Sequence, residues 1–420
     1  MYALLRSLLF TLPPEIAHHF ILKSLKIFHS LKLIQLLFGK TPHAPCTVMG
    51  LNFPNQVGLA AGLDKNAEYI DCLAALGFGF IEVGTVTPRP QSGNPLPRLF
   101  RLPAAQALIN RMGFNNQGVD KLLDNIQKAR FSGILGINIG KNFDTPLERA
   151  VEDYLIGLHK VYAYADYVVI NISSPNTPGL RQLQAGEELD HLLDALKQAQ
   201  QQLADQHNKY VPLVIKIAPD LTQKELTIIA NKLLAYHIDG VIATNTTISR
   251  KAVENLPHAN EKGGLSGAPL SMRATEVIQQ LNATLQGKIP IIAAGGVMTA
   301  SDAQKKRLAG ASLVQIYTGL IYQGPTLVKK MIEVFPTISE QAVEALREEF
   351  EELEPLMQRL REIGYTPFNA DELKVDSGLV NFASEIGLLS IYEGTKENVK
   401  RYKVPDLFIH GLKMKRKGQK

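Results

Sequence analysis

Between residues 57 and 317 two patterns alternate along the chain. Short apolar runs, rich in β-branched residues and ending on small or polar ones, are each followed by a stretch whose apolar positions recur with helical period. The runs span residues 57–63, 80–86, 134–140, 167–173, 213–218, 240–246, 291–295 and 313–317. Segments such as VVINIS and LVIKIA are apolar on both faces, as strands of a parallel sheet covered by helices must be. Eight such units predict an α/β chain folded as a closed (β/α)8 barrel, with an open doubly wound sheet as the alternative. Helix starts are marked by capping chemistry: Thr222 with Glu225 forms a capping box, and Thr145, Pro146 and Glu148 supply the parts of another.

Three stretches depart from the alternation. Between the second and third runs, Pro88, Pro90, Pro95 and Pro97 break the chain; RLFRL then predicts a short strand, and INRMGFNN a loop before a helix from about Gly118. An excursion there suits a wall or lid over a barrel site, and an ornamental hairpin is the other reading. Residues 1–42 form an arm with apolar residues at helical spacing and lysines on the remaining face, broken at Pro13 and Pro14. Such helices lie in a membrane interface or pack in pairs on a barrel. Beyond the barrel, residues 43–336, an extension over 337–420 reads as mainly helical. Thr337 with Glu340 caps an amphipathic stretch through Leu360, Pro355 interrupts it, and a second helix is expected near 371–389. The extension reads equally as a helical cap, an interaction module or a foreign fused segment.

Composition narrows these readings. With 420 residues, 45% hydrophobic and 20% charged, the chain is of ordinary globular make-up. A net charge of +5 does not by itself imply a nucleic-acid partner. Two cysteines, Cys46 and Cys72, are too few for a disulfide scaffold or metal cluster, so no metal is expected. No signal peptide and no apolar run long enough to span a bilayer are read in the sequence.

The chemical signal lies where polar residues meet the strand ends. Lys65 follows the first run; Thr85 sits in the second, Asn138 in the third, and Asn171 with Ser173 and Ser174 in and after the fourth. Lys216 lies in the fifth, and Thr244, Asn245 and Thr246 end the sixth. Barrel enzymes place their chemistry at this rim, and a buried amide or ammonium needs a partner, so the ring implies a polar ligand. Glycines in AAGGV and YTGLIYQGP let the backbone approach a phosphate after strands seven and eight, and GGLSG adds a third flexible segment near the same rim.

In order and with little gap, AAGLDK, EVGTVTPRPQ, PRLFRL, INRMGFNN, GINIGKN, NISSPNTPGLR, KIAPDL, ATNTT, GGLSG and LVQIYTG resemble the class 2 dihydroorotate dehydrogenases over residues 1–335. The resemblance implies bound FMN, held by Ala60, Ala61, Gly62, Leu63, Asp64, Lys65, Thr85, Asn138, Asn171, Lys216, Thr244, Gly267, Gly296, Tyr317 and Thr318. It implies a dihydroorotate site at Lys65, Asn110, Arg111, Met112, Gly113, Phe114, Asn171, Asn176, Asn245 and Thr246. A base removes the C5 proton while hydride leaves C6 for the flavin. Ser174 falls on the base position, and Thr177 begins its proton relay.

Ser174 in place of cysteine, together with the arm, implies a membrane quinone as oxidant, with His18, Arg101 and Tyr317 near it. The expected setting is peripheral, on the cytoplasmic face of a bacterial inner membrane. Another FMN barrel oxidoreductase and a non-redox phosphate-binding isomerase are the rival readings.

Overall fold

The computed structural model describes residues 2–34, 39 and 41–335, and the backbone of 368–369, 390–392 and 401–403. The eight runs form the parallel strands Val57–Leu59, Phe80–Val86, Ile134–Ile139, Tyr167–Asn171, Leu213–Ile217, Gly240–Ala243, Ile291–Ala294 and Leu313–Ile316. Each pairs with the next, and the eighth returns to the first through Val314 to Val57 and Ile316 to Leu59, closing the barrel. The second strand fills its run. The others end sooner, where the polar residues leave the ladder for the rim loops.

The period-two alternation of a strand sorts the side chains. Ile81, Val83, Val168, Ile170, Leu213 and Ile215 face outward and pack beneath the helices. Phe80, Tyr167, Val169, Val214, Ile242, Ile292 and Leu313 fill the interior at the N-terminal end. Gly58 and Gly136 make room for those rings: a Cβ on either would stand 2.2 Å from an atom of Phe80 or Tyr167. A hairpin of Cys46–Val48 and Leu51–Phe53 closes this end, with Phe53 edge-on to Phe80 at 5.2 Å. Burial of each such aromatic or aliphatic side chain contributes about 1.5–3 kcal/mol. The floor is therefore solid, and only the opposite rim is open to chemistry.

The capping box at Thr222 and Glu225 is formed. The one expected at Thr145 is not: a 3-10 turn, Leu147–Arg149, leads into helix Ala150–Val161 with Arg149 at the cap position. Thr145 is engaged elsewhere, its hydroxyl accepting from Arg89 at 3.4 Å and its carbonyl from Lys141 at 2.5 Å. A box that sequence reading passed over, Thr299 with Asp302, starts helix Ala300–Leu308.

RLFRL does contain a strand, Leu99–Leu102, and a helix follows Gly118 at Val119–Ile126. INRMGFNN, expected as a loop, begins in a second strand, Ala107–Asn110. Gly264–Gly267 adds to its other edge. This three-stranded antiparallel sheet has its own small core, including Phe100, Ile109 and Leu265. It stands as a wall on the rim.

The arm comprises helices Tyr2–Leu9 and Pro14–Ser30. Polar contacts dock it: Tyr2 OH donates to the carbonyl of Ile321 at 2.6 Å, and Arg6 to that of Tyr322 at 2.7 Å. Arg98 holds Glu15 at 3.1 Å, and Arg101 caps the turn by donating to Leu12 O at 2.7 Å. The other face leaves Leu4, Leu5, Leu8, Ile16, Phe20, Ile27, Phe28 and Leu31 exposed. Among the described residues no helix is long and apolar enough to cross a membrane.

Met1–Pro336 and Thr337–Lys420 are separate compact units. In the second, Phe368–Asn369, Arg401–Lys403 and Ser390–Tyr392 form an antiparallel sheet, in that order, where a mainly helical extension is expected. The helices expected after Thr337 and near 371–389 lie outside the described residues.

Candidate active site

One cavity of about 1400 Å3, counted out to its open mouth, occupies the C-terminal rim. It runs from the glycine loops after strands seven and eight, across the barrel axis, to the wall sheet and the arm. Gly267, Gly295, Gly296, Gly319 and Thr318 line one end; Ala60, Ala61, Gly62, Thr85, Asn171, Lys216 and Thr244 line the middle. Lys65, Asn110, Met112, Gly113, Phe114, Ser174, Asn176, Asn245 and Thr246 line the far side. His18, Glu15, Leu99, Leu108, Met298 and Tyr317 continue it toward the arm.

Strand parity explains the middle. Lys216 shares the inward face with Val214, Asn171 with Val169 and Tyr167, and Thr244 with Ile242, one or two layers above the aromatic floor. The amides form a directional chain. Asn245 Nδ2 donates to Ser173 Oγ at 3.0 Å and to Asn171 Oδ1 at 3.3 Å; Asn171 Nδ2 donates to Thr85 Oγ1 at 2.9 Å. Thr85 in turn donates to Asn138 Oδ1 at 2.5 Å, and Asn138 Nδ2 to Glu82 Oε1 at 2.8 Å. Asn138 therefore lies one layer below the cavity.

The substrate-side loops are tied together by Arg181. Its guanidinium donates to Ser173 O at 3.0 Å, to Thr246 O at 2.9 Å and to Asp220 Oδ2 at 2.8 Å. The loops after strands four and six are thereby held in register. Asn176 Nδ2 reaches Asn110 Oδ1 at 3.3 Å, joining the fourth-strand loop to the wall sheet. Ser174 Oγ accepts the backbone N–H of Asn176 at 3.2 Å. No hydrogen bond joins Thr177 to Ser174 among the described residues.

Several expected residues stand outside the cavity. Leu63 packs into the main core. Asp64 turns its carboxylate away to accept the N–H groups of Glu68 at 2.9 Å and Tyr69 at 2.8 Å, and burial raises its pKa to about 6. Arg111 points outward to Glu261 at 2.6 Å, so only its neighbours reach the site. Arg101 lies over the Phe10 ring at 4.5 Å, behind the arm turn. Thr177 is buried beside the lining rather than in it.

The electrostatics follow from enclosure. Burial, reinforced by the Arg98 charge and opposed by Glu15, holds the Lys65 ammonium down at about 8. His18 is pushed down to about 3 by burial, Lys65 and His19, so it is neutral at physiological pH. Burial raises the Tyr317 phenol to about 12.

Two buried acceptors, Gln315 Oε1 and Asn115 Oδ1, have no hydrogen-bond partner although both residues line the cavity. Sequence reading missed them, together with Glu82 and Arg181. The available signal was a lone acid and a lone amide inside otherwise apolar strands. A long polar ring system with a phosphate tail fits this lining: unpaired amide oxygens to accept from ring N–H groups, the Lys216 ammonium to donate, and closely approaching backbone at the glycine end. At that end Gly296 has φ +70°, and a Cβ there would stand 2.1 Å from Ser271 Cα.

Comparison with known proteins agrees with this geometry. The family model described as Dihydroorotate dehydrogenase matches residues 44–338. A Nitrosospira multiformis protein named dihydroorotate dehydrogenase (quinone) is 60% identical over 337 residues, covering 80% of this chain and 95% of its own. Its namesake from Nitrosomonas europaea is 62% identical over 335 residues, covering 80% and 97%. A crystal structure of DHODH from Eimeria tenella in complex with ferulenol superposes with a TM-score of 0.69 at 38% identity, covering 78% of this chain and 92% of that one. Sequence, barrel and rim chemistry thus converge, and the chain belongs to the dihydroorotate dehydrogenase family, within its class 2 branch.

Proposed function

We propose that this protein oxidises dihydroorotate to orotate in pyrimidine biosynthesis, using FMN and a membrane quinone. The observation that carries the reading is the meeting of Ser174, Lys65 and the asparagines 110, 171, 176 and 245 on one side of a cavity whose other end is built of glycine loops. FMN, the cofactor of this family, would supply the hydride acceptor for the substrate and the electron relay to quinone. Ala60–Gly62, Thr85, Asn171, Lys216, Thr244, Gly267, Gly296, Tyr317 and Thr318 would hold it, with Asn138 supporting them from below.

The protein's own contribution is placement and proton handling. Asparagine amides and the Lys65 ammonium hold the carboxylate and ring amides of dihydroorotate, presenting one face of the ring. Ser174 Oγ takes the C5 proton. Its hydroxyl is a weak base in water, so enclosure and onward transfer are needed; Thr177 serves that transfer through an intervening water. Lys216 supplies positive charge where negative charge accumulates.

The arm provides the outlet. Its exposed apolar face, with Lys23 and Lys32 beside it, suits a peripheral position in the interface of anionic lipid, on the cytoplasmic face of a bacterial inner membrane. The cavity reaches the arm past Tyr317, Leu99, Leu108 and Met298, an apolar passage for quinone beside neutral His18. Arg101 contributes by bracing the arm turn.

Residues 1–42 are thus the quinone arm, 43–336 the catalytic barrel, and 337–420 an addition to both. Purified protein should be yellow and should bleach with dihydroorotate under anaerobic conditions, then recolour with quinone. A protein that neither contains nor takes up FMN overturns this reading.

A further inference from the structure

Glu82 is a carboxylate in the second barrel strand with no exposed surface, and none of the roles above uses it. An isolated buried carboxylate costs several kcal/mol, and here its oxygens are met on every side. Oε1 accepts from Asn138 Nδ2 at 2.8 Å and has Lys216 Nζ at 3.6 Å. Oε2 accepts from Gln315 Nε2 at 2.5 Å and from Tyr167 OH at 3.5 Å. One acid therefore joins the second, third, fourth, fifth and eighth strands directly beneath the cavity.

An ionised carboxylate only accepts, whereas an amide or a hydroxyl can turn either way. The chain above Glu82 consists of amides and one hydroxyl, so its direction is set by its end. With Glu82 accepting, Asn138 must direct Nδ2 downward and Oδ1 upward to receive Thr85. The Thr85 hydroxyl is then spent, so it accepts from Asn171 Nδ2, and Asn171 Oδ1 is left facing Asn245 and Ser173. We propose that Glu82 is a positioning residue for dihydroorotate oxidation: its carboxylate sets the donor and acceptor sense of the Asn138–Thr85–Asn171–Asn245 chain and balances the charge of Lys216. Lys216 Nζ is drawn toward Glu82 but stands beyond hydrogen-bonding distance. Lys216 itself lines the cavity.

The inference rests on the FMN and dihydroorotate reading, and its test separates the two. The FMN-loaded full chain is compared with Glu82→Gln and Glu82→Asp. Three quantities are read: midpoint potential of the bound flavin, rate of anaerobic bleaching by dihydroorotate, and FMN retained with melting temperature. A glutamine makes either Gln315 turn its amide to accept, or Asn138 and every group above it invert, and in both cases leaves Lys216 unbalanced.

Glu82→Gln should retain FMN, shift the potential positive and slow bleaching about tenfold or more. Glu82→Asp keeps the charge but withdraws it from Asn138. It should hold the parent potential and slow bleaching severalfold. Loss of melting temperature or FMN with parent potential and parent rate would make Glu82 merely structural and overturn the proposal. Should Glu82→Gln not fold, a parent rate in Glu82→Asp overturns it equally. If dihydroorotate fails to bleach the unaltered protein, the functional reading falls, while the potentials still test the charge balance.

Discussion

The backbone N–H of Asn176 donates to Ser174 Oγ across 3.2 Å. The contact occupies a lone pair and fixes the rotamer while leaving the hydroxyl proton free to be handed on. Arg181 holds the same loop rigid from behind, through Ser173 O and Thr246 O. Ser174→Ala should therefore retain FMN and melt like the parent, yet bleach with dihydroorotate at least about a hundredfold more slowly. Anaerobic rapid mixing measures this, and an unchanged rate would remove Ser174 from proton abstraction.

Lys65 carries its charge below about pH 8 and loses it above, because enclosure and Arg98 disfavour the ammonium. Dihydroorotate keeps its carboxylate charge throughout that range. KM for dihydroorotate should then rise as pH passes 8 from below. Lys65→Met should give a high KM that no longer varies there. Initial rates across neutral and alkaline pH check both, and a flat parent profile would count against Lys65 as the carboxylate anchor.

The arm docks through polar contacts at its ends and at Glu15 and through Leu22 and Ile34 in the main core, whereas the aromatic floor at the other end of the barrel contains no arm residue and stays intact without it. Deleting residues 2–40 should spare flavin reduction by dihydroorotate and reduce quinone turnover by more than about tenfold. Binding to anionic vesicles should be lost with it. Equal quinone turnover in the deleted form would separate the arm from electron exit.

At Gly296 both conformation and space exclude a side chain: φ is +70° and the nearest backbone atom would be 2.1 Å from a Cβ. Gly296→Ala must displace the loop after strand seven from the N-terminal end of helix Ser271–Leu285. Strain of about 1–3 kcal/mol at such a position should weaken FMN retention roughly tenfold or more. Flavin released on dialysis measures it. Gly287→Ala, where φ is also positive but no atom lies within 4 Å, controls for backbone strain alone.

Truncation after Pro336 removes a unit compact in itself and keeps every residue of the cavity lining. FMN content and dihydroorotate-driven bleaching should stay within about twofold of the full chain, with the melting temperature unchanged. A collapse of any of the three would assign the extension a part in the barrel's stability or chemistry.

Sequence alone determined the eight strands, their order and most of the rim residues, because each depends on local pattern. Buried parallel strands read as apolar runs, and polar residues at their ends stand out against them. The capping box at Thr222 was legible for the same reason, its partners being three residues apart. Thr145 was not, since Arg89 and Lys141 reach it from outside the local window. Asp64 and Arg111 lie in motifs that named the site, yet their side chains face away; a one-dimensional motif does not record direction. Only the tertiary structure decided that Glu82, Asn138, Lys216, Tyr167 and Gln315, spread over more than 230 residues, meet at one point on the barrel axis. Closure of the sheet brings the eighth strand beside the first. The direction of every amide above that point follows from a charge that strand parity alone turns inward.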